Sequence, residues 1–137
     1  MSGIPPALRA RLAADPFARR NGIELLDVGP GFARVAMTVA EDMVNIHGST
    51  HGGALFTLAD AAFAAASNSH GMTAVALTMT VAYHAATGPG DQLEASATEL
   101  HRARRTATYE IVVRRGAERI ATLQATVYRT EKPVREA

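Results

Sequence analysis

From Gly52 to Ser67 the chain carries a single charged side chain, Asp60, among glycines, alanines, leucines, phenylalanines and small hydroxyl residues. Within the wider run Ala54 to His70, the residues Leu55, Leu58, Ala59, Ala62, Phe63 and Ala66 recur at helical spacing, and the other faces are mostly alanine. A helix that is apolar nearly all round is a buried one, so the rest of the chain has to wrap it. The remaining segments are suited to that. Ile23 to Val28 and Phe32 to Val39 read as strands joined by the turn Gly29-Pro30-Gly31. After the helix, which Gly71 ends, come Thr73 to His84, Gln92 to Leu100, Thr106 to Arg114 and Arg119 to Arg129. Alternation is plain in the last two, which suits antiparallel strands with one face on a core. The expectation is an α+β architecture, an antiparallel sheet of five to six strands around one long central helix.

Ahead of the first strand, Asp15-Pro16 reads as an N-cap followed by proline at the first helical position, with Asn21-Gly22 as the stop. A further helix is expected near Pro6 to Ala14, making residues 1–21 a helical extension, and residues 131–137 are expected to form a flexible tail. At 137 residues the chain reads as one domain over 1–137, with no repeat or linker.

An ionised carboxylate taken out of water costs several kcal/mol unless it is paired or neutralised, and no cation lies within a helical turn of Asp60. Directly upstream runs Asn45-Ile-His47-Gly48-Ser-Thr-His51-Gly52-Gly53, a loop that enters the helix through two residues without side chains. Bare amides at a helix N-terminus hold anions. An oxyanion donor together with a desolvated carboxylate is what acyl transfer or thioester hydrolysis requires.

Other chemistries are excluded or disfavoured. Lys plus Arg number 14 against 13 Asp plus Glu, so there is no global field for nucleic acid or an anionic membrane. The absence of cysteine removes disulfides, thiolate metal sites and a cysteine nucleophile. His47 and His51 have the i, i+4 spacing of a zinc pair, but glycines break that helix and His70, His84 and His101 are scattered, so no metal site is expected. The serine-hydrolase elbow G-x-S-x-G is missing, as are nucleotide-binding glycine fingerprints. The one long apolar run, Ala54 to Ala66, is too short to span a bilayer and nothing reads as a leader, which gives the expectation of a cytoplasmic protein.

The pattern Asn45-x-His47-Gly48-x-x-His51-Gly52-Gly53-x-Leu55-Phe56-x-Leu58-Ala59-Asp60 resembles the signature of the hotdog-fold acyl-CoA thioesterases, most closely the phenylacetic-acid-degradation type. Similarity continues through Ala62-Phe63-Ala64 and Arg104-Arg105-Thr-Ala-Thr-Tyr109-Glu110, covering about Gly22 to Thr130. The resemblance implies a hotdog fold, a homodimer with shared active sites, a homotetramer built as a dimer of dimers, no cofactor beyond the coenzyme A of the substrate, and hydrolysis of phenylacetyl-CoA or hydroxyphenylacetyl-CoA. By likeness Asp60 is nucleophile or general base, Gly52 with Gly53 forms the oxyanion hole, Asn45 orients the thioester or water, and Thr78 helps position the water. His47, His51, Phe63, Arg102, Arg104 and Arg105 are the candidate substrate-binding residues, the arginines because a guanidinium fork matches phosphate. The chain departs from its relatives at Tyr83-His84-Ala85-Ala86, where many carry Arg-Pro in place of the two alanines.

One geometric consequence follows from spacing. Gly52 and Asp60 are eight residues apart, which on a helix is about 12 Å along the axis, so both can reach one carbonyl only if they come from different protomers. Whether Asp60 attacks directly or activates water stays open. So do two other functions: an acyl-thioester hydratase or dehydratase on the same fold, working through a histidine and a carboxylate, and a non-catalytic acyl-CoA-binding module.

Overall fold

The computed structural model describes residues 3–135. Two short helices, α1 (Pro6–Ala13) and α2 (Pro16–Arg20), precede β1 (Glu24–Gly29) and β2 (Phe32–Thr38). Then come α3 (Gly52–Asn68), β3 (Met72–Tyr83), β4 (Gln92–Arg102), β5 (Thr106–Arg115) and β6 (Glu118–Pro133). The six strands form one sheet in the order β1-β2-β4-β5-β6-β3, and every pairing is antiparallel. The chain reaches the far edge of the sheet through α3 and returns to the middle with β4, so the helix lies across the concave face of the strands that follow it.

Alternation decides which side chains meet the helix. Ala107, Tyr109, Ile111 and Val113 of β5, and Leu123, Ala125 and Val127 of β6, point inward and are buried. Against them α3 places Leu55, Leu58, Ala59, Ala62, Phe63 and Ala66, the helical series visible in the sequence. Phe63 and Tyr109 meet edge to face with ring centroids 5.6 Å apart. Burying each of the large side chains here contributes about 1.5–3 kcal/mol.

The helix is not enclosed on every side. Gly53, Phe56, Thr57, Asp60, Ala61, Ala64 and Asn68 form a second stripe, at i, i+3, i+4 and i+7 spacing, that stays partly or fully accessible. Its apolar composition had implied burial all round; the protomer's own sheet covers only one face.

One tertiary contact fixes the C-terminal end of the helix. The Gly31 N–H donates to Ser69 Oγ at 2.8 Å, tying the β1–β2 turn to the end of the helix. Gly31 has φ +73°, and a Cβ there would sit 3.0 Å from Glu99 Cβ, so the turn needs glycine on both counts. At the other end of the chain, the flexible tail expected from residue 131 is replaced by strand through Pro133. β3 extends back to Met72 and offers β6 a partner that far, Met72 lying opposite Pro133, and the Val134 N–H donates to Gly71 O. Residues 136 and 137 lie outside the described range. No helix among the described residues is long and apolar enough to cross a membrane.

Candidate active site

The loop before α3 is built on Asn45. Its Oδ1 accepts from the His47 N–H at 2.8 Å and the Ser49 N–H at 3.2 Å, an Asx-type turn that folds the loop back on itself. Gly48, at φ +83°, occupies the left-handed position this turn demands. Any contact Asn45 makes with a substrate therefore falls to its amide nitrogen. The loop is anchored below by a buried hydroxyl pair, Thr87 Oγ1 donating to Thr50 Oγ1 at 2.7 Å, and by the Thr50 N–H bonding to Thr87 O.

This loop delivers His51 as the N-cap of α3. Its Nδ1 accepts from the Gly53 N–H at 2.9 Å, while its carbonyl takes the amides of Ala54 and Leu55. Among the described residues the Gly52 N–H has no acceptor. One helix-start donor is thus free, at the positive end of the helix dipole, and it belongs to Gly52. Of the two glycines expected at the oxyanion hole, Gly52 keeps its amide and Gly53 spends its own on the cap. Its missing side chain makes room for the cap, since a Cβ there would lie 3.1 Å from His51 Nδ1. His51, expected at the substrate, serves as the cap.

Gly52 is crowded from the other side by Tyr83, at the end of β3. The phenol donates to Gly52 O at 3.0 Å, and a Cβ on Gly52 would lie 3.1 Å from Tyr83 Cζ and Oη. Sequence reasoning singled out Tyr83 only as part of a departure from relatives; its contact with Gly52 joins residues 31 apart in the chain and has no local signature.

Asp60 lies two turns along, in the middle of the open stripe, and is half-buried. Among the described residues it makes no ion pair. Its carboxyl is pushed above the ordinary aspartate range, first by desolvation and second by the charge of Asp15. Asp15 comes from the N-terminal extension, where its Oδ1 accepts the amides of Phe17 and Ala18 as the cap of α2. The cap was legible in the sequence; its approach to Asp60 was not, because α2 reaches α3 only through tertiary packing. An unpaired, partly desolvated carboxylate and a free helix-start amide, eight residues apart on one helix, are the two elements that thioester cleavage requires.

A profile of the Thioesterase superfamily matches residues 47–122, the span from this loop through β3, β4 and β5 into β6. The chain belongs to the thioesterase superfamily. The acyl-coenzyme A thioesterase PaaI of Escherichia coli is 43% identical over 99 residues, covering 72% of this chain and 71% of that protein. The solved structure of the E. coli PaaI protein from the phenylacetic acid degradation operon superposes with a TM-score of 0.89, at 35% identity and 94% coverage of both chains. The phenylacetic acid degradation protein PaaI of Thermus thermophilus, solved as a point mutant, gives 0.82 at 43% identity, covering 85% of this chain and 100% of that one. A Streptococcus mutans protein solved bound to acetyl-CoA gives 0.78 at 26% identity, covering 82% and 91%. The hotdog fold and the PaaI-type resemblance read from the sequence are thereby borne out, and with them the reading as a thioester hydrolase.

Other expected residues of this thioesterase fall elsewhere. Phe63, expected at the substrate, is 1% exposed and packs edge-on to Tyr109, because it lies on the sheet-facing side of α3. Arg104 pairs with Glu131 at 3.2 Å on the open surface, and Arg105 Nη1 donates to Tyr128 Oη at 2.8 Å. Arg102 Nη1 donates to the ring of His70. All three belong to the β4–β5 end of the sheet, each with a partner in its own chain. His47 is an exposed loop residue, and Thr78 is exposed on β3 beside the irregularity between Ala76 and Thr78.

A histidine–carboxylate pair of the kind a hydratase would use does exist, His70 Nε2 to Glu99 Oε1 at 2.8 Å. Glu99 also accepts from Tyr109 Oη at 2.9 Å. Desolvation alone would push the Glu99 carboxyl up, yet the bonds from His70 and Tyr109 outweigh it and hold it below its usual range. The pair sits past the C-terminal end of α3, about 27 Å along the axis from Gly52 at the helical rise, and locks the sheet rather than facing the free amide.

Proposed function

We propose that this chain is an acyl-CoA thioesterase acting on phenylacetyl-CoA or hydroxyphenylacetyl-CoA, with each active site shared across a homodimer. The observation that carries the reading is the pairing of one unclaimed amide at Gly52 with one unpaired, desolvated carboxylate at Asp60, separated by two helical turns. Asp60 of one protomer either adds to the thioester carbonyl or takes the proton of the water that does. The oxyanion is received by the Gly52 N–H of the partner helix. Collapse breaks the C–S bond and coenzyme A leaves as the thiol. When water attacks, the acyl group departs at once as the free acid; when Asp60 attacks, it stays on the carboxylate as an anhydride that a water molecule then hydrolyses, returning Asp60 and the free acid. The E. coli relative's name supports the acyl-CoA class, and its operon supports the aryl-acetyl group.

Two features support the dimer. β3 is an edge strand of 12 residues with no charged side chain and no proline, so two of the usual devices that blunt an edge are missing from it. Val75 and Leu77 are 49% and 55% exposed on it, and Phe56 is partly accessible on α3. Two-fold pairing through β3 would cover both and bring the helices side by side. A pair of such dimers would make the tetramer that the resemblance implies. No metal or cofactor enters this chemistry, so prolonged chelation with EDTA should leave turnover unchanged, and loss restored by a divalent ion would overturn that part. Release of free thiol across aryl-acetyl, short-chain and long-chain CoA esters tests the whole: the reading fails if no ester is cleaved, and the aryl-acetyl assignment fails if another class is cleaved better.

A further inference from the structure

We infer that Phe56 lies on the two-fold axis of the dimer, packed against its own copy, and that this pair of rings sets the distance between the Gly52 amide of one protomer and the Asp60 carboxylate of the other. The inference rests on the shared-site thioesterase reading and adds to it the residue at the centre of the interface.

Phe56 is midway between the two reacting groups in every sense. It stands four residues after Gly52 and four before Asp60, about 6 Å along the axis from each, and each lies about 40° round the helix from it, on opposite sides. The three residues form one i±4 row. If the Gly52 amide meets the partner's Asp60 at one carbonyl, the two-fold operation makes Asp60 meet the partner's Gly52 at a second, and the one position that faces itself is Phe56. Two such rows laid along each other bring their helices to a crossing of about 50°, the commonest class in globular proteins.

The chain's own cover stops where this contact ends. Leu12 of α1 and Ala18 of α2 line one cavity with α3, and its lining residues from that helix begin at Ala61 and continue through Ala64 to Asn68. In the two-fold arrangement Ala61 falls opposite residue 51, ahead of the partner's helix, so the contact between helices runs from Gly52 to Asp60 and the extension stands over the turns beyond it. Charge and size fit as well. Each Asp60 meets the positive start of the partner's helix, and Gly52 and Gly53 put no side chain in its way. Phe56 is the one large side chain of the row, only partly buried by its own protomer. Ring against ring at the axis completes that burial and holds the helices apart. A smaller residue lets them close, which moves both amide–carboxylate pairs at once.

The chain has no cysteine, so single-cysteine variants of the full chain report the axis directly. Phe56→Cys should form a disulfide-linked dimer under mild oxidation, because a residue on the axis comes within the roughly 4.4–6.8 Å between Cα atoms that a disulfide needs. Ala61→Cys and Ala64→Cys, about 7.5 and 12 Å along the helix from the axis, should stay unlinked. With the sequence unaltered, dimers mixed from isotope-labelled and unlabelled chains should show NMR contacts from the Phe56 ring to Phe56 of the partner subunit. Phe56→Ala should lower kcat for thiol release at least about tenfold in the intact dimer with KM little changed, as a displacement on the order of 1 Å does, and Phe56→Leu should recover part of it. Linkage through Ala61→Cys or Ala64→Cys in place of Phe56→Cys, no NMR contact between the rings in an intact dimer, or a native kcat in dimeric Phe56→Ala would overturn the inference. If Phe56 meets its copy while the native protein releases no thiol, the axis stands and the thioesterase reading falls. Thiol release without that contact leaves the thioesterase reading standing and removes Phe56 from the axis.

Discussion

Tyr83 Oη donates to the carbonyl of Gly52 at 3.0 Å, so the residue offering the free helix-start amide is clamped by a phenol from the edge strand. The ring packs where a Gly52 side chain would be. Tyr83→Phe keeps the ring and removes the bond. A neutral hydrogen bond is worth about 0.5–1.5 kcal/mol, so kcat should fall about two- to tenfold with KM little changed, if the clamp acts on transition-state geometry. A rise in KM alone would show that Tyr83 serves binding instead. Gly52→Ala, which forces the phenol away, should cost more.

Asp60→Asn should lower thiol release by at least about 10²-fold, the size of a general-base contribution, while leaving fold and oligomer intact. Its effect on stability has a definite sign. Because folding raises the Asp60 pKa, the native state holds that proton more tightly than the unfolded chain does. The resulting stability is fully present below the ordinary aspartate pKa and is lost as pH rises through the raised one. Above that point the desolvated charge is a burden that the amide removes. The Tm of Asp60→Asn relative to the native protein should therefore increase from acid to neutral pH; a decrease would mean that the carboxylate has a stabilising partner.

Asp15 offers a separate handle on the same titration. Asn caps a helix about as well as Asp, so Asp15→Asn should keep α2 in place while removing a negative charge near Asp60. The acid limb of the kcat/KM profile should move to lower pH, without reaching the ordinary aspartate value, since desolvation is the larger cause. An unmoved limb would separate Asp15 from the catalytic carboxylate.

A shared site can be repaired by mixing defective chains. Asn45→Ala loosens the turn that carries the Gly52 amide, and Asp60→Asn removes the carboxylate, so each homodimer should be nearly inactive. In a mixed dimer one site inherits both lesions and the other is intact. Random reassortment makes about half the dimers mixed, so thiol release should return to roughly a quarter of the native level. Confirmed chain exchange without recovery would place both residues in one protomer's service.

The sequence by itself determined the helix, its buried series Leu55, Leu58, Ala62, Phe63 and Ala66, the β1–β2 turn, the alternating strands and the isolation of Asp60, because each is set by local periodicity or by a neighbour a few residues away. It also carried enough of the loop to single out Gly52. Tertiary structure decided what depends on residues far apart in the chain. The arginines found partners on neighbouring strands, and β6 continued past residue 130 because β3 lay alongside it. Tyr83 over Gly52 and Asp15 near Asp60 bring together residues 31 and 45 positions apart, and such approaches depend on strand order and helix docking, which leave no periodic trace in the chain.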